Sequence, residues 1–208
     1  MYDFLVDLDG YFCEKYANYD KLCVLPGYRM PTMQATRVDE FGRSFSYTLP
    51  SSNMRLALQE NKEEILAELK KRIVDKGFSF SFYPIGSFKR FKRKFAKITP
   101  AKILLETMAK YKLTSESVLE ELVIDKEIWE NICKGKFGAT KNTIISLALI
   151  GHFSVEDTTN LLYAFGYDWD FAVERDVVFA YLLENKVFAR PMMNAAFEEY
   201  KVANLFLK

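Results

Sequence analysis

Histidine and cysteine are scarce in this sequence. His152 is the single histidine, and the three cysteines, Cys13, Cys23 and Cys133, stand far apart in the chain. No Cys-x-x-Cys pair or Cys/His cluster is present, so the ligand spacing of a structural zinc site is missing. An odd number of scattered cysteines favours a reducing compartment over a disulfide framework. We therefore expect neither a metal ion nor another cofactor.

Long hydrophobic runs are also missing. No apolar run reaches the roughly 18 residues that a membrane-spanning helix requires. The first residues carry Asp3 and Asp7 where a signal peptide would carry basic residues. These features predict a cytoplasmic protein that does not bind a membrane.

Neither sign of charge dominates the chain. Lysine and arginine total 29 against 28 aspartates and glutamates, which gives a net charge of +1. The chain as a whole thus lacks the basic surplus that is typical of nucleic-acid-binding proteins, although local basic patches can still supply one.

Catalytic signatures are absent as well. The sequence contains no nucleophile motif, no glycine-rich phosphate loop and no metal cluster. The run Asp7-Leu8-Asp9-Gly10 has the acid pair that begins some catalytic loops, but no acidic or lysine partner follows at a suggestive spacing. We interpret it as the solvated face of a helix and expect a protein that is not an enzyme.

Residues 1–98 are predicted to form a small α+β region. Apolar spacing predicts a first helix between Tyr2 and Tyr19 and a long helix over Asn53–Asp75. Alternation from Gln34 to Leu49, with a turn at Asp39–Gly42, predicts a β-hairpin. Strict alternation over Gly77–Tyr83 predicts one further strand.

A dense basic run closes this region. Its cations are interleaved with phenylalanines that would form one stripe of a helix. One interpretation is a segment that contacts nucleic-acid phosphates or, less readily, a membrane surface. The commoner situation is a linker helix whose aromatic stripe packs on the core while its charges are solvated. The candidate nucleic-acid-binding residues of the run are Lys89, Arg90, Lys92, Arg93 and Lys94.

Residues 99–208 are predicted to be helical, with Thr99 and Pro100 at the boundary as cap and first helical residue. Five short amphipathic helices are expected between Thr99 and Tyr167, followed by two more over Asp168–Phe188 and Pro191–Asn204. The last two are rich in large apolar side chains. They are therefore either lids on the helical core or a face for self-association.

The centre of the helical region is a pair of short helices joined by a tight turn. Thr114 or Ser115 can cap the first helix, and Asp125 can cap the second. On the second helix, Trp129 is expected in the core, and we interpret Cys133 as a small buried residue and not as a nucleophile. Two such helices form a helix-turn-helix motif.

The stretch LLETMAKYKLTSESVLEELVIDKEIWENICKGKFGATKNTIISLALIGHFSVEDTTNLLYAFGY is similar to the five-helix lambda-repressor-like (Cro/cI-type) domain. Its second part, together with VVFAYLLENKVFARPMMNAAFEEY, resembles the C-terminal helical module of some Firmicutes macro-domain proteins. The resemblance identifies a fold better than an activity. The expected fold is mainly α, with a small α+β N-terminal region and a C-terminal five-helix lambda-repressor-like bundle plus two additional helices.

The resemblance implies that the second helix of the motif, Asp125–Lys134, enters the major groove of double-stranded DNA. Its leading exposed positions include three carboxylates, which oppose binding to phosphates. Ser115 stands where family members often have glutamine, and Val123 stands where they often have glycine. The candidate DNA-binding residues are Lys126 and Asn131 on this helix and, after it, Lys134, Lys136, Lys141 and Asn142.

Two functions remain open on these grounds. The first is a non-enzymatic bacterial regulatory protein whose helix-turn-helix binds DNA. The second is a protein-interaction or self-association module that uses the same fold, through the acidic helix and the aromatic-rich C-terminal helices, without nucleic acid.

Overall fold

The computed structural model describes residues 4–29, 34–48, 56–79, 81–87, 98–202, 205 and 207–208. Within these residues the protein is mainly helical and contains one two-stranded antiparallel sheet. The predicted class, mainly α with a small α+β N-terminal region, is confirmed. The elements in chain order are α1 (Phe4–Lys15), α2 (Tyr19–Leu22), β1 (Gln34–Val38), β2 (Ser44–Thr48), a 3-10 turn (Leu56–Leu58), α3 (Lys62–Arg72), α4 (Pro100–Lys110), α5 (Ser115–Glu121), α6 (Lys126–Cys133), α7 (Lys141–Gly151), α8 (Val155–Phe165), α9 (Glu174–Glu184) and α10 (Arg190–Glu199).

The five helices predicted between Thr99 and Tyr167 are present as α4 to α8, and local capping explains their starts. In each one the residue before the helix accepts a hydrogen bond from a backbone N–H of the first turn, which is worth about 1 kcal/mol per cap. Left-handed residues close α7 and α8. The caps are Thr99, Thr114, Asp125, Thr140 and Ser154, and the left-handed residues are His152 and Gly166.

Two helices form the centre of the core. Nearly all of α7 from Asn142 to Leu149 and all of α9 from Glu174 to Leu183 are buried. Helices that are apolar on most sides need neighbours all round, and α1, α5, α8 and α10 supply them. The aromatic rings of the last two helices, such as Phe179, Tyr181 and Phe197, are therefore buried in the core. This burial fits the prediction that these helices cover the core better than the alternative of a face for self-association.

Helix α1 packs against the last helices of the chain. The Tyr181 hydroxyl donates to the Asp7 carboxylate at 2.9 Å, and the Tyr200 hydroxyl donates to Asp9 at 2.7 Å. Lys70 of α3 also donates to Asp9, at 2.6 Å. These contacts give the two aspartates structural partners and join the two sequence regions in one core. The domain boundary at residue 99 stays a prediction.

The β-hairpin agrees with the prediction. Its loop follows β1, and the Asp39 carboxylate accepts from the backbone N–H groups of Phe41 and Arg43. Gly42 has a φ of 76°, which glycine adopts without the cost that a side chain adds.

The predicted helix over Asn53–Asp75 is interrupted in its described part, where a 3-10 turn precedes α3. The side chain of Gln59 is buried there and accepts from the backbone N–H of Arg29 at 3.3 Å. The Asn61 amide donates to the Gly27 carbonyl at 3.4 Å. Contacts with a distant loop thus replace the helical hydrogen bonds that the local pattern favours.

The strand predicted over Gly77–Tyr83 is not present among its described residues, which pair with no strand. Phe78 instead lies under the Arg175 guanidinium, 5.6 Å from ring centre to Cζ. Further on, Pro84 forms an isolated antiparallel bridge with Phe137. A strand needs a neighbouring strand, and this segment packs against helices.

Candidate nucleic-acid interface

Helices α5 and α6 are the two short helices for which the sequence predicts a helix-turn-helix. Their connection is extended, because Leu122 has φ and ψ of −112° and 144° and Asp125 has −67° and 139°. Val123 is exposed and is not among the residues with positive φ. The connection therefore uses no left-handed residue at the position where glycine was expected from the resemblance.

One face of α6 belongs to the core. Trp129 is only 1% exposed and Ile132 is fully buried, as predicted for Trp129. The Asp125 carboxylate accepts from the N–H groups of Glu127 and Ile128 and so caps the helix. Packing and capping together fix which side chains α6 presents to solvent.

The solvent face of α5 and α6 carries more acids than bases. Glu116, Glu120 and Glu127 are exposed, and Lys126 is the exposed cation beside them. Negative side chains at these positions repel phosphates. The helix that the resemblance assigns to the major groove is thus poorly suited to supply most of the affinity for DNA.

Basic residues gather instead at the C-terminal end of α6. Lys134 donates to the Glu130 carboxylate at 2.7 Å, and this hydrogen bond lowers the pKa of Glu130. Both side chains contact water, so the pair is worth little and is easily exchanged. Lys136 is exposed two residues later. We call Lys134–Phe137 the basic turn.

The basic turn is braced by two other parts of the chain. The Lys136 carbonyl accepts from the N–H of Ile85 at 2.8 Å. Helix α4 packs against α6, the helix that ends at this turn. The described segment before residues 88–97 is therefore hydrogen-bonded to this turn, and the helix after them contacts α6. The candidates Lys89, Arg90, Lys92, Arg93 and Lys94 lie outside the described residues.

Asn131 and Lys126 remain on the α6 surface. Asn131 is half-buried, and its carbonyl accepts from the N–H groups of Lys136 and Phe137, at 2.8 and 3.1 Å. Asn131 thus shapes the basic turn through its backbone, whatever its side chain contacts.

Lys141 and Asn142 face the protein itself. Lys141 pairs with the buried carboxylate of Asp176 and donates to the Asp168 carbonyl at 2.6 Å. Asn142 is 5% exposed and donates to the Gly77 carbonyl at 3.1 Å. The two side chains hold α7 to α9 and to the segment after α3.

Sequence reasoning missed a cluster of buried charges at the start of α9. Glu174, Arg175 and Asp176 are all buried, and the first two line a cleft of about 470 Å³. Lys21 donates to Glu174 at 2.5 Å, and Arg175 lies 3.6 Å from Asp75. Three charged residues in a row before an apolar helix were the available signal. The pairs join the N-terminal region to the helical core.

Cys133 and His152 are the potentially reactive side chains of the helical region. Burial raises the pKa of the Cys133 thiol to about 11, so it is protonated at neutral pH. His152 stacks on Phe188 with ring centres 4.3 Å apart.

Among the described residues, no three or more histidine, cysteine or acidic side chains are grouped to hold a metal ion. No helix in the described part of the chain is long and apolar enough to cross a bilayer.

Comparison with known proteins found no matching protein family, no similar characterised protein and no similar solved structure. The lambda-repressor-like resemblance of residues 104–167 therefore stays a prediction.

Proposed function

We propose that this is a cytoplasmic, non-enzymatic regulatory protein of lambda-repressor-like fold that binds double-stranded DNA through α5, α6 and the basic turn. The carrying observation is the braced position of Lys134 and Lys136: the N–H of Ile85 donates to the Lys136 carbonyl, and α4 packs against the helix that ends at this turn. A rigid turn that presents two exposed ammonium groups suits phosphate contacts, because little conformational freedom of the backbone is lost on binding.

The charge distribution supports different roles for the basic turn and for α6 in this binding mode. Phosphate contacts come from the basic turn, while the acidic face of α6 limits how closely that helix approaches the groove. Asn131 is the one residue of α6 whose amide suits adenine. The proposed binding is thus mainly electrostatic, with weak sequence preference.

The sequence between the two bracing segments adds to this argument. Five cations, from Lys89 to Lys94, lie in the chain between Ile85 and Ala101. Because that stretch joins Ile85, which donates to the basic turn, to α4, which packs against α6, the proposal predicts that these cations contribute to the same DNA contact.

The test is fluorescence anisotropy with a random-sequence DNA duplex at low and moderate salt. The natural protein should lose at least about tenfold in affinity between about 50 and 200 mM salt. The double variant Lys134→Glu/Lys136→Glu should lose binding at both concentrations. Lys71→Glu/Lys76→Glu is the matched control, since it makes the same charge change at exposed positions of the N-terminal region.

Equal losses in the two double variants would show that only net charge matters and would contradict a site at the basic turn. Absence of any binding at low salt would overturn the DNA proposal itself, since non-specific affinity accompanies nearly all DNA recognition.

A protein-interaction function is the second candidate, and the acidic face of α5 and α6 favours it. Glu116, Glu120 and Glu127 are exposed on two adjacent helices and suit a basic partner surface. Its test uses a labelled oligolysine peptide as the probe. Peptide binding that is lost in Glu116→Gln/Glu120→Gln/Glu127→Gln, in a protein that does not bind DNA, would favour this candidate over the first.

A further inference from the structure

The β-hairpin exposes several large apolar side chains to solvent. Phe45 and Tyr47 of β2 are 51% and 48% exposed, and Phe41 at the loop is 73% exposed. Val38 at the end of β1 is 60% exposed. Phe45 and Tyr47 share one face of the hairpin, and neighbouring apolar side chains in water usually mark an interaction surface.

Among the residues that the structure describes, the hairpin has no third strand to support it. In the described part of the chain, β1 and β2 pair only with each other. An isolated two-stranded hairpin is marginally stable in water, and an uncovered edge strand is a template for another strand. These properties point to a surface that is covered in the working protein.

The register shows which backbone groups are available for pairing. The N–H of Asp39 donates to the Arg43 carbonyl at 3.0 Å, so these residues form a hydrogen-bonded pair. Hydrogen-bonded pairs alternate along an antiparallel ladder, and the next such pair is Arg37 with Phe45. The N–H and C=O of Ser46 therefore point outward, away from β1.

The charge of the hairpin limits which partner suits it. Residues 34–48 contain two arginines and two acids, and Arg43 pairs with Asp39 at 3.1 Å. A surface without net charge offers no electrostatic gain to a nucleic acid or an anionic membrane. It also imposes no repulsion on a second copy of itself.

The β2 strand is complementary to its own copy. If two β2 strands pair antiparallel about Ser46, the outward backbone groups of Ser46 meet those of the partner's Ser46. Phe45 then lies directly opposite the partner's Tyr47 on one face, and the reverse pair follows by symmetry. Cross-strand aromatic pairs of this kind stabilise sheets. The same arrangement about Thr36 of β1 would pair Arg37 with alanine and gain no aromatic contact.

We propose that the protein self-associates by antiparallel pairing of β2 with β2 of a second copy, centred on Ser46, to give a four-stranded sheet. This pairing is independent of DNA binding. The contact covers five residue pairs and four aromatic rings, which is small for a stable dimer. The dimer is therefore weak and dissociates at micromolar concentrations.

Sedimentation velocity over a concentration series tests the pairing, with Ser46→Pro and Thr36→Pro as matched variants. Proline removes an outward N–H in both, at directly opposite positions of the hairpin. Ser46→Pro should raise the dimer dissociation constant by at least about tenfold, because both central N–H donors of the symmetric pair are lost. Thr36→Pro should leave it unchanged.

A protein that stays monomeric at about 0.5 mM would overturn the proposal, since even a weak specific contact is populated at that concentration. Dimerisation that withstands Ser46→Pro, or that Thr36→Pro abolishes instead, would equally overturn it.

A cross-link gives a second test that does not depend on how proline affects folding. Cys23 is the exposed cysteine, so Cys23→Ser provides the background. Opposite residues of a hydrogen-bonded pair have Cα atoms about 5.5 Å apart, within disulfide range. Under mild oxidation Ser46→Cys should yield a covalent dimer and Thr36→Cys should not. The reverse pattern, or no dimer with either, would contradict pairing through β2.

Discussion

The ammonium group of Lys141 forms an ion pair with the buried carboxylate of Asp176. The pair joins the start of α7 to the start of α9, the two helices at the centre of the core. Burial raises the pKa of Asp176, and Lys141 opposes that rise by favouring the charged form. Lys141 thus makes the burial of the Asp176 carboxylate tolerable.

Removing the cation of Lys141 should lower the stability of the fold more than neutralising the carboxylate of Asp176. Lys141→Met leaves a buried carboxylate without its cation and should destabilise the fold by about 3–5 kcal/mol at pH 7. Asp176→Asn keeps an oxygen that can still accept from the N–H of Asp170 and should cost less. Urea unfolding of both variants checks the order, and a smaller loss in Lys141→Met would contradict it.

The same variant should respond to pH with a definite sign. Without Lys141, burial holds the folded-state pKa of Asp176 above its unfolded value, so the stability of Lys141→Met should fall as pH rises through the folded pKa. Relative to the natural protein, the variant should therefore be less impaired at pH 5 than at pH 7. An equal loss at both pH values in urea titrations would show that Asp176 is not desolvated as described.

Trp129 fixes α6 to the core and should be essential for stability. Trp129→Ala removes a large side chain that is 1% exposed and should cost about 3–5 kcal/mol. Glu127→Gln on the solvent face of the same helix should change stability by less than about 0.5 kcal/mol. Urea midpoints of the two variants test this contrast, and a mild effect of Trp129→Ala would mean that α6 is not held by this residue.

The acids of α6 should weaken DNA binding if that helix approaches the duplex. Glu127→Gln/Glu130→Gln should raise affinity by about threefold per residue at low salt, as expected for removing a like charge several ångströms from a phosphate in water. Anisotropy with the random duplex provides the measurement. Unchanged affinity would place α6 away from the DNA even if the basic turn binds it.

Local signals in the sequence were enough to predict much of the fold. The starts of α5 and α6 follow from Thr114 and Asp125, which can cap a helix whatever surrounds it. The hairpin follows from alternation and from Asp39 and Gly42 at its loop. These elements depend on contacts between residues that are close in sequence.

The predictions of secondary structure were wrong where contacts between residues distant in sequence determine the structure. The predicted strand over Gly77–Tyr83 has the right alternation but no neighbouring strand among the described residues. The predicted helix over Asn53–Asp75 is interrupted in its described part, where Gln59 packs under a remote loop. The phosphate contact of Lys141 stays a prediction, but spacing in the sequence did not reveal the ion pair that this residue forms. Its partner, Asp176, lies 35 residues away and could not be assigned from spacing.

Salt dependence of DNA binding is the most direct measurement of the central claim. The slope of log K against log salt concentration counts the phosphate contacts that a protein makes. In Lys134→Gln/Lys136→Gln the slope should be smaller by about two than in the natural protein, while Lys71→Gln/Lys76→Gln should keep the natural slope. An unchanged slope in the first variant would show that the basic turn does not contact DNA.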